Sequence, residues 1–132
     1  MTGVLLVDDE PLVLIGMQGM LNWAALGYEV VGTARNGAEA LRAVQEKQPD
    51  IVVSDIRMPV MDGLEATRHI RGMTREDARR IPIFALSANA FADDIQRSLQ
   101  CGMNTHFNKP MDMDSICAAL HYWLEHDKGN RP

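Results

Sequence analysis

Apolar residues fall into two alternating patterns along the chain. Short continuous runs occur at Val4-Leu5-Leu6-Val7, Ile51-Val52-Val53 and Ile83-Phe84-Ala85-Leu86. Each is consistent with a strand buried on both faces. Val30-Val31 marks a strand near residues 28–33, and His106-Phe107 a short fifth one before Lys109-Pro110. Between the runs the apolar period lengthens. Pro11 suits the first turn of a helix that carries Leu14, Met17, Met20 and Leu21 and fades by Gly27. Asn36 followed by Glu39 reads as a capping pair for a helix from Gly37 to about Lys47. A third helix starts near Gly63 with Leu64, Thr67 and Ile70, and residues 72–80 read as a polar connection. Phe91, Ile95 and Leu99 share a face of a fourth helix, which Gly102 is placed to close. A last helix runs from about Asp112 to Glu125 with Ile116, Leu120, Trp123 and Leu124 inward.

Five strands alternating with five helices imply an α/β, doubly wound parallel sheet with helices on both faces. The expected organisation is one domain over residues 1–126 and a polar tail over 127–132. In such sheets ligands bind outside the carboxyl ends of the strands. That rule selects which side chains can meet.

Composition narrows the partners. The 132 residues carry 13 Lys and Arg against 18 Asp and Glu, a net charge of −5. An acidic chain without a basic block is a poor match to nucleic acid, so no direct nucleic-acid contact is expected. No apolar run approaches the roughly 18 residues of a membrane span, and the first residues lack a basic signal-peptide region. Cys101 and Cys117 read as two reduced thiols. The expected setting is cytoplasmic, without membrane contact.

At the carboxyl edge the strands end at Asp8-Asp9, Asp55, Ser87 and Lys109. Singly, each is a common turn, cap or solvated residue. Together they put three carboxylates, a hydroxyl and an ammonium in one place. Two unit charges 4 Å apart repel by about 4 kcal/mol at a surface-like dielectric. The cluster must therefore take up a proton, pair with Lys109 or bind a cation. An oxygen donor set with open positions suits magnesium, which readily takes a phosphate oxygen as a further ligand. A carboxylate beside such a cation and a lysine can attack phosphorus, with Ser87 donating to a phosphoryl oxygen.

The segments Val7-Asp8-Asp9-Glu10-Pro11, Ser54-Asp55-Ile56-Arg57-Met58-Pro59, Met61-Asp62-Gly63, Leu86-Ser87-Ala88 and Lys109-Pro110 resemble the receiver domain of two-component response regulators. The similarity spans residues 4 to about 125. It implies a flavodoxin-like sheet with strand order 2-1-3-4-5. It implies that Asp55 accepts a phosphoryl group from a histidine kinase or a histidine phosphotransfer protein. Asp8, Asp9, Asp55 and the backbone carbonyl of Arg57 would hold Mg2+. Ser87 would be the switch hydroxyl, and Lys109 would contact the phosphoryl group or Asp55. Arg57 and Asn89 each stand two positions after a site residue, where the family tunes phosphoryl lifetime; a solvated arginine is the plainer reading of Arg57. The resemblance also implies a cis bond before Pro110. Phosphorylation would alter a surface around residues 90–125, used for a homodimer or another partner. The chain would be a switch and not a turnover enzyme, catalysing only its own phosphorylation and dephosphorylation.

Two stretches point to different relatives. Residues 5–35, with Trp23 and Gly27-Tyr28, resemble receivers fused to DNA-binding regulators, whereas residues 84–110, with Gly102-Met103-Asn104, resemble those of hybrid sensor kinases. His106 stands where the family usually has Tyr or Phe. It is either an imidazole that rotates inward behind Ser87 or a half-exposed residue on an edge strand. The arginines at 68, 71, 75, 79 and 80 read as a solvated face and loop. An aspartyl-phosphate phosphatase uses the same nucleophile, but Asp8-Asp9 lacks the Asp-x-Asp spacing of the haloacid-dehalogenase-like enzymes. A degenerate receiver acting only as a binding module is the third reading.

Overall fold

The computed structural model describes residues 2–20, 23–55, 63–73, 81–87, 96–97, 99–108 and 113–128. The strands are β1 (Thr2–Val7), β2 (Tyr28–Ala34), β3 (Ile51–Asp55), β4 (Ile83–Ser87) and β5 (Thr105–Asn108). All pair in parallel, in the order β2-β1-β3-β4-β5. The helices are α1 (Pro11–Met20), α2 (Gly37–Lys47), α3 (Gly63–Arg71) and a C-terminal helix (Met113–Lys128).

Side chains alternate across each strand, and both sheet faces are covered. Val4, Leu6, Ile51, Val53, Phe84 and Leu86 form one core with Leu14 and Met17 of α1 and with Ile116 and Leu120 of the C-terminal helix. Leu5, Val7, Val52, Ile83 and Ala85 form the other with Ala40 and Val44 of α2 and Ile70 of α3. That two-sided cover is why the central strands read as unbroken apolar runs. Truncating one of these residues, Leu120 for example, would remove about 2–5 kcal/mol of stability.

Local signals explain the element ends. The Asn36 side chain accepts from the Glu39 N–H at 2.9 Å, and its own amide donates to the Glu39 carboxylate at 3.1 Å. The expected cap is therefore present, although Glu39 reaches the Asn36 side chain rather than its backbone. A 3-10 turn at Ala24–Leu26 ends at Gly27, whose φ of 89° is left-handed and turns the chain into β2. Trp23 donates its indole N–H to the Met17 carbonyl at 3.2 Å and meets the Tyr28 ring edge-on.

Two expectations change. The C-terminal helix continues to Lys128, past the expected end at Glu125 and into the stretch read as a tail. His126, Asp127 and Lys128 can extend a helix, and the first strong breaker in the sequence is Gly129. Arg71 also departs from the solvated arginine face. It is half-buried and bonded to the turn before β5, whereas Arg68 is exposed as expected. Arg75, Arg79 and Arg80 lie outside the described residues, as does Phe91, so the fourth helix is seen only at positions 96–97 and 99–100 before Gly102. Among the described residues no helix is long and apolar enough to cross a membrane.

Candidate functional site

Strand register decides what reaches the carboxyl edge. Val7 pairs with Ser54, Asp55 with Leu86, and Ser87 with Asn108. The ends of β1, β3, β4 and β5 are therefore nearly level. Asp8 follows β1 directly, Asp55 is the last residue of β3, and the Ser87 backbone closes β4.

The chain leaves β1 through a tight turn that aims Asp8. Its N–H donates to the Ala34 carbonyl at 3.0 Å, and its Oδ1 accepts from the Glu10 N–H at 3.0 Å. The Glu10 carbonyl then accepts from Val13 and Leu14 at 3.0 and 3.2 Å, starting α1. Pro11 fills the first helical position, where its missing N–H removes no bond. Asp8 is thus fixed between a strand and a helix. Asp55 is held by β3, and the buried Ser54 donates its hydroxyl to the Asp55 carbonyl at 2.9 Å.

Asp8 and Asp55 are buried, Asp9 is half-buried, and one carboxylate oxygen from each lies within 4.8 Å of the others. Burying like charges at this separation is unfavourable unless a cation or proton joins them. The donor set fits magnesium. Oxygens on an octahedral ion at about 2.1 Å lie about 3 to 4.2 Å apart, so a small contraction of the cluster suffices. Backbone carbonyls or waters would complete six ligands.

Three of the residues expected at this edge, Asp8, Asp9 and Asp55, come together as the sequence suggested. The Ser87 backbone is also at the edge. Arg57, Asn89, Lys109 and the Lys109–Pro110 bond lie outside the described residues. His106 pairs with Ala85 inside β5 and is half-buried, with its Nε2 shut off from solvent. Arg71, expected on a solvated face, instead meets Asn104 at the opposite edge of the sheet. The only advance signal for them was the Gly102-Met103-Asn104 segment.

The sequence profile of the response regulator receiver domain matches residues 4–121. The chain is 37% identical over 120 residues to the transcriptional regulatory protein KdpE of Mycobacterium tuberculosis, covering 91% of this chain and 50% of that protein. It is 38% identical over 117 residues to the sensor protein EvgS of Escherichia coli, covering 89% of this chain and 9% of that one. It spans half or less of the length of these curated relatives. Among solved structures, the receiver domain of the sensor histidine kinase PA1611 from Pseudomonas aeruginosa superposes with a TM-score of 0.78. That pair shares 37% identity over 94% of this chain and 98% of the other, and the Pseudomonas domain holds a magnesium ion in its active-site cleft.

Proposed function

The chain belongs to the response regulator receiver domain family, and from that premise we propose that Asp55 is its phosphoacceptor. The observation that carries this reading is the three-carboxylate cluster at the ends of β1 and β3. A phosphohistidine of a histidine kinase or a histidine phosphotransfer protein is the donor. An Asp55 oxygen forms the new O–P bond as the P–N bond breaks, and the leaving imidazole keeps its electron pair and takes up a proton. Burial of Asp55 at the strand end keeps its carboxylate from wandering.

Asp8, Asp9 and Asp55, with the Arg57 backbone carbonyl, would hold a magnesium ion. When bound, that ion neutralises charge on the acids and on the phosphoryl oxygens. Lys109 supplies a second positive charge, and Ser87 donates its hydroxyl to the phosphoryl group. His106 follows Ser87 as the switch side chain. Arg57 and Asn89 govern how readily water attacks the acyl phosphate. The outcome is a population shift between two packed states, biased by the new charge and read on the surface around residues 90–125. A homodimer on that surface is one output. The chain acts on its own phosphorylation state and turns over no other substrate. The receiver extends through the C-terminal helix to Lys128, and its place is the cytoplasm.

The test is labelling with a small phosphodonor such as acetyl phosphate in the presence of magnesium. Intact-mass spectrometry should show the gain of one phosphoryl group, lost on chelation and lost in Asp55→Asn. Equal labelling of Asp55→Asn would remove Asp55 from the role. Multiple-turnover phosphate release from a metabolite panel would favour a phosphatase instead.

A further inference from the structure

The amino edge of the sheet holds an arrangement that phosphoryl transfer does not use. Arg71 ends α3 and turns its guanidinium under the start of β4. Its Nε donates to the Gly102 carbonyl at 3.0 Å, Nη1 to the Ile81 carbonyl at 2.7 Å, and Nη2 to Asn104 Oδ1 at 2.9 Å. Nη2 also reaches the Gly102 carbonyl. Asn104 Oδ1 accepts at the same time from the Ile83 N–H at 2.8 Å, and the Asn104 N–H donates to the Ile83 carbonyl at 2.8 Å. Three segments distant in sequence meet on one planar cation.

Two details make the contact specific. Gly102 has a φ of 107°, and a Cβ there would come within 3.1 Å of Arg71 Cγ and Nε. The left-handed turn favours glycine, and a Cβ there would crowd the arginine lying over it. The Gly102 N–H donates to the Leu99 carbonyl, so a helical turn ends where the cation sits. Arg71 also occupies the last turn of its own helix. Cations are favoured at such ends. Burial lowers the pKa of Arg71 from its ordinary value, yet a guanidinium stays charged at neutral pH.

β5 needs such a fixture. It has four residues, lies at the sheet edge and pairs with β4 alone. A slip of this short edge strand by one residue would exchange its two faces. In the observed register Phe107 meets Phe84 edge-on at 5.7 Å within the core, while His106 pairs with Ala85. A slip would turn Phe107 out of the core, exchange it with His106, and shift the residue after Asn108 by about 3.3 Å. That residue is Lys109.

We propose that Arg71, acting through Asn104, fixes the register of β5 on β4 and is thereby a positioning residue for the groups β5 delivers to the carboxyl edge. The claim about Lys109 rests on the phosphoacceptor reading above, whereas the claim about register does not.

The experiment compares wild type with Arg71→Met, Arg71→Lys and Asn104→Ala by two independent readouts. The first is cross-strand NMR contacts and amide-exchange protection between residues 84–87 and 105–108, which needs no phosphodonor. The second is the rate of labelling by acetyl phosphate. Arg71→Met and Asn104→Ala should lose the observed cross-strand contacts, and labelling should slow by about tenfold or more, as expected for a misplaced charge. Magnesium affinity should stay within about twofold, because β1 and β3 carry the three acids. Arg71→Lys, with fewer donors and no planar fork, should fall between. Should Arg71→Met fail to fold, Arg71→Lys decides the matter, because it leaves both Asn104–Ile83 bonds in place and changes only the cation. Unchanged cross-strand contacts in the folded variants overturn the register claim. Lost register with labelling at the wild-type rate overturns the positioning role. Absence of labelling in wild type itself would count against the phosphoacceptor reading and leave the NMR result to settle register.

Discussion

The two edges of one sheet are built on opposite electrostatic plans. At the carboxyl edge Asp8, Asp9 and Asp55 bring like charges within 4.8 Å of one another. At the amino edge donors meet acceptors: Arg71 with Gly102, Ile81 and Asn104, and the Gly3 N–H with the Asp50 carboxylate at 2.8 Å. The Asp50 N–H returns a 2.8 Å bond to the Gly3 carbonyl. One edge is closed by its own hydrogen bonds. The other would gain stability by taking up a cation from outside, as the proposed magnesium site requires. The same strands run from one edge to the other.

The largest effect should come from opening the closed edge. Arg71→Met leaves three oxygen acceptors without their cation and removes the charge from two helix ends. Unsatisfied part-buried acceptors cost about 1–3 kcal/mol each, partly recovered by water, so a net loss of about 2–4 kcal/mol is expected. Urea denaturation would measure it. A loss below about 0.5 kcal/mol, the range of an ordinary surface substitution, would break the contrast between the edges.

Magnesium should move stability in the other direction. If folded protein alone binds the ion, a concentration one hundred times Kd adds about 2.7 kcal/mol. For a domain of this size that raises Tm by about 10 °C. Calcium, which prefers more ligands and longer bonds, should give a smaller gain at equal concentration. A Tm insensitive to magnesium would remove the open edge as a cation site.

The fold was legible because its causes are local. Val4-Leu5-Leu6-Val7 and Ile51-Val52-Val53 sit in the middle of a two-sided core and carry no polar interruption. Asn36 and Glu39 announce α2 from three residues apart. The acid cluster was legible for a related reason: strand ends place Asp8 and Asp55, and parallel topology makes those ends neighbours. Arg71 was not. Its partners lie 10, 31 and 33 residues away, and no periodicity encodes such a meeting. In sequence it is one arginine among several. Only the structure separates it from Arg68, which stays in solvent on the same helix.

The smallest effect is the most diagnostic, because its sign should reverse. Asp9 is the half-buried member of the cluster, so its charge can be removed with little packing change. In the absence of metal, Asp9→Asn relieves repulsion from Asp8 and Asp55. Solvent screening reduces the bare Coulomb value of several kcal/mol, and a gain of about 1 kcal/mol is expected. In saturating magnesium the same change removes a ligand charge, and the variant should become less stable than wild type. Chelator and magnesium titrations followed by thermal unfolding would place the two curves on one axis. Curves that cross mean the open edge is held apart by charge and drawn together by a cation. Curves that run parallel would assign Asp9 to ordinary turn chemistry and leave any magnesium to Asp8, Asp55 and water.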